Sequence, residues 1–222
     1  YEQIIIEETA RSGDHGWFNT LHSRLVGPYF QRFGSEEQRE RFLPKCVTGE
    51  TILAIAMTEP GAGSDLAGMR TTAEDKGDHF LLDGSKTYIS NGINSDVVIV
   101  AAKLAGAEKK HAMVLLIVER GMEGFERGRN LKKMGMPAQD TAELFFNNVK
   151  VPKENVLGEP GKGFYYLMQG LAEERLISAV GCISNARRAF DITRDYVMDR
   201  KLFGKPLSEQ QNTQFPHGGD GC

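Results

Sequence analysis

The sequence predicts an α+β fold: a helical N-terminal part, a strand-rich middle and a long helical segment toward the C-terminus. Three observations carry that prediction. Within the first fifty or so residues, Ser35 precedes Gln38 by three positions, the pattern of a helix capping box. The middle switches to short runs of Val, Ile, Leu and Phe separated by turn residues. After the glycine-rich stretch Gly158 to Gly163, Phe164, Leu167, Met168 and Leu171 recur at helical spacing. The implied domains are 1–51, 52–157 and 158–222.

Taken in order, Ile4, Ile5 and Ile6 lead a first helix through Thr9 and Arg11. A second helical segment runs from Trp17 to Phe33, with a break expected at Gly27-Pro28. A third starts on Ser35 as N-cap and is expected to end at Pro44, which lacks a backbone N–H. Ile52 to Ile55 reads as a short strand. Phe80-Leu81-Leu82 and Lys86 to Ser90 read as a hairpin closed by an Asp83-Gly84 turn. Asp96 to Ala102, Ala112 to Val118 and Ala142 to Val151 are further strands, and Lys103 to Lys110 is a polar connection. Such a series predicts a compact antiparallel barrel or sandwich. From Phe164 to about Arg200 the pattern is helical, weakened locally by Gly170 and Gly181.

The 222 residues suffice for one large domain or two small ones, and the net charge of −3 gives no argument for nucleic acid or a strongly acidic partner. Cys46, Cys182 and Cys222 lie far apart without metal-ligand spacing, which points to a reducing compartment, no disulfides and no metal site. No apolar run approaches the ~20 residues of an integral membrane segment. No secretory signal or transit peptide is visible, and the chain opens mid-pattern on Tyr1-Glu2-Gln3 without an initiator methionine.

The densest chemistry lies in Ala56-Met57-Thr58-Glu59-Pro60-Gly61-Ala62-Gly63-Ser64-Asp65. Glycines let a backbone approach a ligand closely, and hydroxyls with free N–H groups can hold a polar ring edge or phosphate oxygens. In isolation a Gly-x-Gly is equally a surface turn. The whole run resembles the signature of the acyl-CoA dehydrogenase family, flavoenzymes that oxidise acyl-CoA thioesters at the α–β carbon bond. Tyr88-Ile89-Ser90-Asn91-Gly92 resembles the family's second flavin motif, about thirty residues on. Arg200-Lys201-Leu202-Phe203-Gly204-Lys205, Gly135 to Leu144 and the Gly34 to Glu50 segment match as well, so the resemblance covers roughly residues 1 to 215. It implies a helical N-terminal part, a central β domain and the start of a C-terminal helical bundle.

The resemblance also implies a site. FAD would be held by Met57, Thr58, Gly63, Ser64, Tyr88, Ile89 and Ser90. Arg200 and Gln211 would reach the flavin of a neighbouring subunit, which implies a homo-oligomer, dimer or tetramer. Acyl-CoA would meet Ser64, Lys110, His111, Tyr165 and Arg175. Glu174, in Leu171-Ala172-Glu173-Glu174-Arg175-Leu176, matches the catalytic base of the long-chain and isovaleryl branches. From periodicity alone Glu174 reads as a helix-surface glutamate paired with Arg175. In the family the base removes an α-proton while the β-hydrogen leaves as hydride to flavin N5. Glu173, about 100° around the helix, should point elsewhere.

Electrons would pass to an electron-transfer flavoprotein; the rival readings are an acyl-CoA oxidase and a non-catalytic flavoprotein or interaction fragment. The family's location would be the mitochondrial matrix in a eukaryote and the cytoplasm in a bacterium. After Gln214-Phe215 the sequence Pro216-His217-Gly218-Gly219-Asp220-Gly221-Cys222 departs from the family's long helix. The chain therefore reads as a fragment, expected to bind FAD weakly or not at all on its own.

Overall fold

The computed structural model describes residues 1–14, 16, 18–109 and 111–214. Two compact units divide the chain: residues 16–175, and residues 1–15 together with 176–222. Helix α1 (Glu2–Ser12) belongs to the second of these and stops at Gly13, which takes the left-handed φ of 79°. The departure expected beyond Phe215 and the helix start expected at Trp17 lie outside the described residues.

In the larger unit the chain does not break at Gly27-Pro28. It winds as a π-helical turn over Leu21–Val26 and tightens into α2 (Gly27–Phe33), where Pro28 occupies the first turn and needs no N–H partner. His22, inside the wide turn, accepts from the Leu53 N–H through Nδ1 at 3.1 Å and meets the Cys46 carbonyl through Nε2 at 3.0 Å. Helix α3 (Glu36–Thr48) carries the capping box: Ser35 Oγ accepts from Gln38 N at 3.2 Å, and Gln38 Oε1 accepts from Ser35 N at 3.1 Å. Pro44 does not end α3. Phe42 and Cys46, buried on either side of it, hold the last turns down, and Gly49 terminates the helix at φ 80°.

The strands are β1 (Leu53–Ala56), β2 (Thr72–Asp75), β3 (His79–Ser90), β4 (Val97–Leu104), β5 (Met113–Glu119), β6 (Phe125–Asn130), β7 (Thr141–Pro152) and β8 (Val156–Leu157). Their order is β6-β7-β3-β2-β4-β5-β8, with β1 on β4. The sheet is mainly antiparallel, but β1 and β2 both pair with β4 in parallel. Alternate residues of β4 and β5 bury into two cores. Val97, Ile99, Leu115 and Ile117 pack with Phe30, Phe42 and Leu167 from the helices. Val98, Val100, Leu116 and Val118 pack with Phe80, Leu82, Phe146 and Val149 from β3 and β7. Both faces of these strands are thus dry, which is why they read as continuous apolar runs.

The hairpin expected at Asp83-Gly84 does not form. β3 runs on through both residues for 12 in all, with a register shift against β7 at this point. Gly84 adopts φ 146°, and a Cβ there would fall 2.7 Å from the Cα of Thr71. The glycine serves a bulge and a close backbone approach, two uses of a strand glycine that mimic a turn signal. Helix α4 (Gly163–Asp199) follows as one 37-residue helix. Its first turns, to Arg175, belong to the larger unit and the remainder to the smaller. In the smaller unit Arg188 donates to the Ala10 and Arg11 carbonyls at the end of α1, satisfying oxygens that the helix leaves open. Strands β9 (Lys201–Leu202) and β10 (Lys205–Pro206) then form a tight hairpin over Phe203 and Gly204, at φ 52° and 80°.

Candidate active site

The loop after β1 turns back on itself through paired backbone bonds, Glu59 N to Ala62 O at 2.9 Å and Ala62 N to Glu59 O at 3.1 Å. Ala62 is buried beneath it, while Gly61, Gly63 and Ser64 face outward. A Cβ built on Gly61 or Gly63 would meet nothing within 4 Å, so the rim of the loop is open. Met57 and Thr58 are half-buried at its base.

Glu59 anchors this loop to β3. Its carboxylate accepts from Arg70 N at 2.6 Å, Thr71 N at 3.0 Å and Lys86 Nζ at 2.9 Å. Lys86 Nζ also donates to the Met57 carbonyl at 3.0 Å, and Thr87 N donates to Thr58 O at 2.9 Å. The Lys86 side chain is 0% exposed and that of Glu59 5%. Burial alone would raise the Glu59 pKa, but the Arg70 and Thr71 groups and the Lys86 ammonium outweigh it and hold it below its ordinary value. Burial pulls the Lys86 pKa down, against the opposing pull of Glu59.

Beyond Lys86 the strand kinks. Tyr88 takes φ 59° and Asn91 φ 60°, left-handed values that cost about 1–3 kcal/mol each in a non-glycine residue. The kink turns Tyr88 out to 69% exposure while Thr87 and Ile89 on either side stay buried. Contacts from β1 and from the loop before β7 hold the strained turn. Asn91 Nδ2 donates to Leu53 O at 3.1 Å, and Gln139 Nε2 to Asn91 Oδ1 at 2.9 Å. Asp140 accepts from Ile93 N at 2.7 Å and Asn94 Nδ2 at 2.8 Å. Met57, Thr58, Tyr88, Ile89 and Ser90 therefore belong to one braced assembly at the end of β1 and β3.

Glu174 sits in a second cluster, between α2 and the start of α4. Tyr29, 3% exposed, directs its hydroxyl at Glu174 Oε1 at 3.4 Å. Gly170, one turn earlier on α4, makes the approach possible: a Cβ there would lie 2.4 Å from the Tyr29 hydroxyl. Glu173 pairs instead with Arg32, so the two adjacent glutamates take different partners from α2. Burial raises the Glu174 pKa, the Tyr29 bond and Arg175 oppose the rise, and Glu173 adds to it. Burial, then the Glu174 charge, also raises the Tyr29 phenol, which stays protonated and able to donate.

The remaining expected residues are dispersed. His111 packs its ring against Phe164 at 4.5 Å, and Phe164 in turn meets Tyr165, which is 60% exposed. Arg175 is exposed, Arg200 and Gln211 lie exposed in the smaller unit, and Lys110 lies outside the described residues. Tyr29, Glu59, Lys86, Gln139 and Asp140 were not expected as functional groups. Their partners lie far away in sequence, 145 residues in the case of Tyr29. Among the described residues no cluster suits a metal ion, and no helix is long and apolar enough to cross a membrane.

A helical lead-in, a mixed sheet with two glycine-edged motifs braced against each other, and a long helix carrying a half-buried carboxylate define an architecture shared with known proteins. The acyl-CoA dehydrogenase N-terminal domain matches residues 1–50, the middle domain residues 54–149 and the C-terminal domain residues 161–218. The chain belongs to the acyl-CoA dehydrogenase family.

Among its relatives, the long-chain specific acyl-CoA dehydrogenase, mitochondrial, of Sus scrofa is 50% identical over 95% of this chain and 50% of its own length. An acyl-CoA dehydrogenase structure from Geobacillus kaustophilus superimposes with a TM-score of 0.95 at 50% identity, covering 99% of this chain and 58% of that one. A Bacillus anthracis acyl-CoA dehydrogenase solved in complex with FAD gives a TM-score of 0.91 at 34% identity, over 98% of this chain and 38% of that one. The chain spans about half the length of the curated relatives it matches.

Proposed function

We propose that this chain is a fragment of an FAD-dependent acyl-CoA dehydrogenase acting on fatty acyl thioesters, with Glu174 as the base. What supports the reading most is a half-buried carboxylate with a raised pKa on the helix where the family places its base. A general base works best when its pKa approaches the working pH, and positioned bases contribute about 10²–10⁴ in rate.

The residues at the end of β1 and β3 suit a flavin. They combine an open glycine rim, half-buried Thr58 and Ser90 hydroxyls and an outward tyrosine ring, a donor set for a flat heterocycle with one polar edge. Met57, Thr58, Gly63, Ser64, Tyr88, Ile89 and Ser90 would hold it. When bound, FAD supplies the acceptor for the hydrogen that leaves the β-carbon as hydride. Glu174 takes the α-proton on a carboxylate oxygen, and burial of that carboxylate strengthens its basicity. Tyr165 and Arg175 contribute to the substrate cleft beside the base, with Ser64, Lys110 and His111 toward the CoA.

Arg200 and Gln211 reach a neighbouring subunit's cofactor in a homo-oligomer. An electron-transfer flavoprotein takes the electrons, in the mitochondrial matrix of a eukaryote or the cytoplasm of a bacterium.

Anaerobic titration of the flavin-loaded full-length parent with octanoyl-, palmitoyl- and isovaleryl-CoA tests the reading. Bleaching of the flavin band by one of them supports dehydrogenation and ranks chain length. A flavin that stays oxidised with all three overturns the fatty-acyl assignment. Glu174→Gln is expected to slow bleaching by about 10²–10⁴. Rapid oxygen consumption would move the protein to the oxidases.

A further inference from the structure

Two consecutive glutamates on α4 face two side chains spaced three apart on α2. Tyr29 and Arg32 lie on one face of that helix, as i,i+3 neighbours do. Arg32 binds Glu173, and Tyr29 offers its only proton to Glu174. Gly170 leaves the gap through which the tyrosine reaches. The groups facing this pocket are Arg24 from the π-turn, Tyr29 and Arg32 from α2, and Glu173 and Glu174 from α4, with Arg175 next in sequence.

We propose that Tyr29 is a positioning residue for Glu174, and that the Arg32–Glu173 ion pair keeps the neighbouring carboxylate from crowding it. The inference rests on Glu174 being the base. A carboxylate at the end of a mobile three-torsion side chain needs a fixed donor to aim it. At 3.4 Å the Tyr29 bond is longer than the ~2.7 Å of a strong O–H···O bond. Catalytic hydrogen bonds are often long before substrate arrives and tighten in the complex. A weak tether also suits a group that must accept a proton during turnover, because it favours the ionised form without trapping it. Glu173 is oriented by a cation and 30% exposed, so its negative charge is screened, and what remains of it raises the Glu174 pKa less than burial does.

The two groups act on Glu174 with opposite signs, and that gives the test. In the holoenzyme, the rate of flavin reduction by acyl-CoA is followed against pH. It falls on the acid side as Glu174 gains its proton. Tyr29→Phe removes a donor to the carboxylate, so the acid limb moves to higher pH; at a fixed pH on that limb the rate falls about 3–10-fold, the worth of one hydrogen bond. Glu173→Gln removes a neighbouring negative charge, so the limb moves to lower pH. The plateau rate at high pH changes little in Glu173→Gln and falls in Tyr29→Phe, whose carboxylate is no longer aimed.

The carboxyl itself is read without turnover, from the protonated-carboxyl stretch in infrared difference spectra of wild type against Glu174→Gln. Its titration midpoint is expected to move in the same two directions. A purely structural Tyr29 would lower stability without moving the midpoint. Midpoints of both variants that coincide with wild type, with Glu174→Gln inactive, overturn the positioning role and leave the base assigned. A Glu174→Gln enzyme that bleaches at the wild-type rate overturns both.

Discussion

Glu59 and Glu174 are both carboxylates withdrawn from water, yet their proton affinities move in opposite directions. Glu59 is the more deeply buried, and its pKa is lowered; Glu174 is half-buried, and its pKa is raised. The difference is donors. Glu59 receives two backbone N–H groups and an ammonium within 3.0 Å, whereas Glu174 receives one phenol at 3.4 Å. Burial sets the size of the penalty for a charge, and hydrogen-bond count decides whether it is met. The first arrangement builds scaffold and the second leaves a group free to exchange protons.

Lys86→Met should break the scaffold side most severely. It strands the Glu59 charge in the core, and losing one partner of a buried pair costs about 3–5 kcal/mol. Equilibrium unfolding in denaturant reads the loss, and the double variant with Glu59→Gln should recover part of it.

Acid should act on the same pair. Because the folded pKa of Glu59 is depressed, its contribution is complete above the unfolded value of about 4.5 and disappears as pH falls through the folded one. Stability measured from pH 7 downward should therefore fall less steeply in Glu59→Gln. A curve that falls as steeply in the variant would assign acid sensitivity elsewhere.

Gly170→Ala sharpens the other side. Its Cβ collides with the Tyr29 hydroxyl, so overpacking should cost about 1–3 kcal/mol despite alanine's higher helix propensity. The smallest effect is expected at Gly181 on the same helix, where a Cβ finds its nearest neighbour, Ile6 Cγ2, at 3.9 Å. There the change to alanine should stabilise by about 0.5–1 kcal/mol. Thermal unfolding of the two variants side by side would show opposite signs.

These glycines also mark how far the sequence could be read. Ser35 and Gln38 announce their helix because a capping box is local chemistry. β4 and β5 announce themselves because both faces are dry. β2 and β6 do not: Thr72-Ala73-Glu74-Asp75 and Phe125-Glu126-Arg127-Gly128-Arg129-Asn130 lack any apolar run. Asp83-Gly84 carries a turn's composition, and only Thr71 across the sheet reveals a bulge. Pro44 misleads because its N–H deficit is outweighed by Phe42 and Cys46 packing beneath it. At the site, the motif residues were visible as patterns. Their supports, Tyr29, Lys86 and Asp140, were not, because each matters only through a partner from a distant element.

The wide turn at Leu21–Val26 has a geometric consequence. An α-helix advances about 100° per residue, so the bearings of His22 and of Tyr29 with Arg32 are normally locked together. The π-turn inserts extra length and resets the phase between them. His22 can then face α3 and β1 while Tyr29 and Arg32 face α4. Deleting one residue within the turn would swing one set off its targets by about a quarter of a revolution. The N-terminal helical segment thus works like a shaft with a keyed joint, whose setting decides which partner each of its side chains can reach.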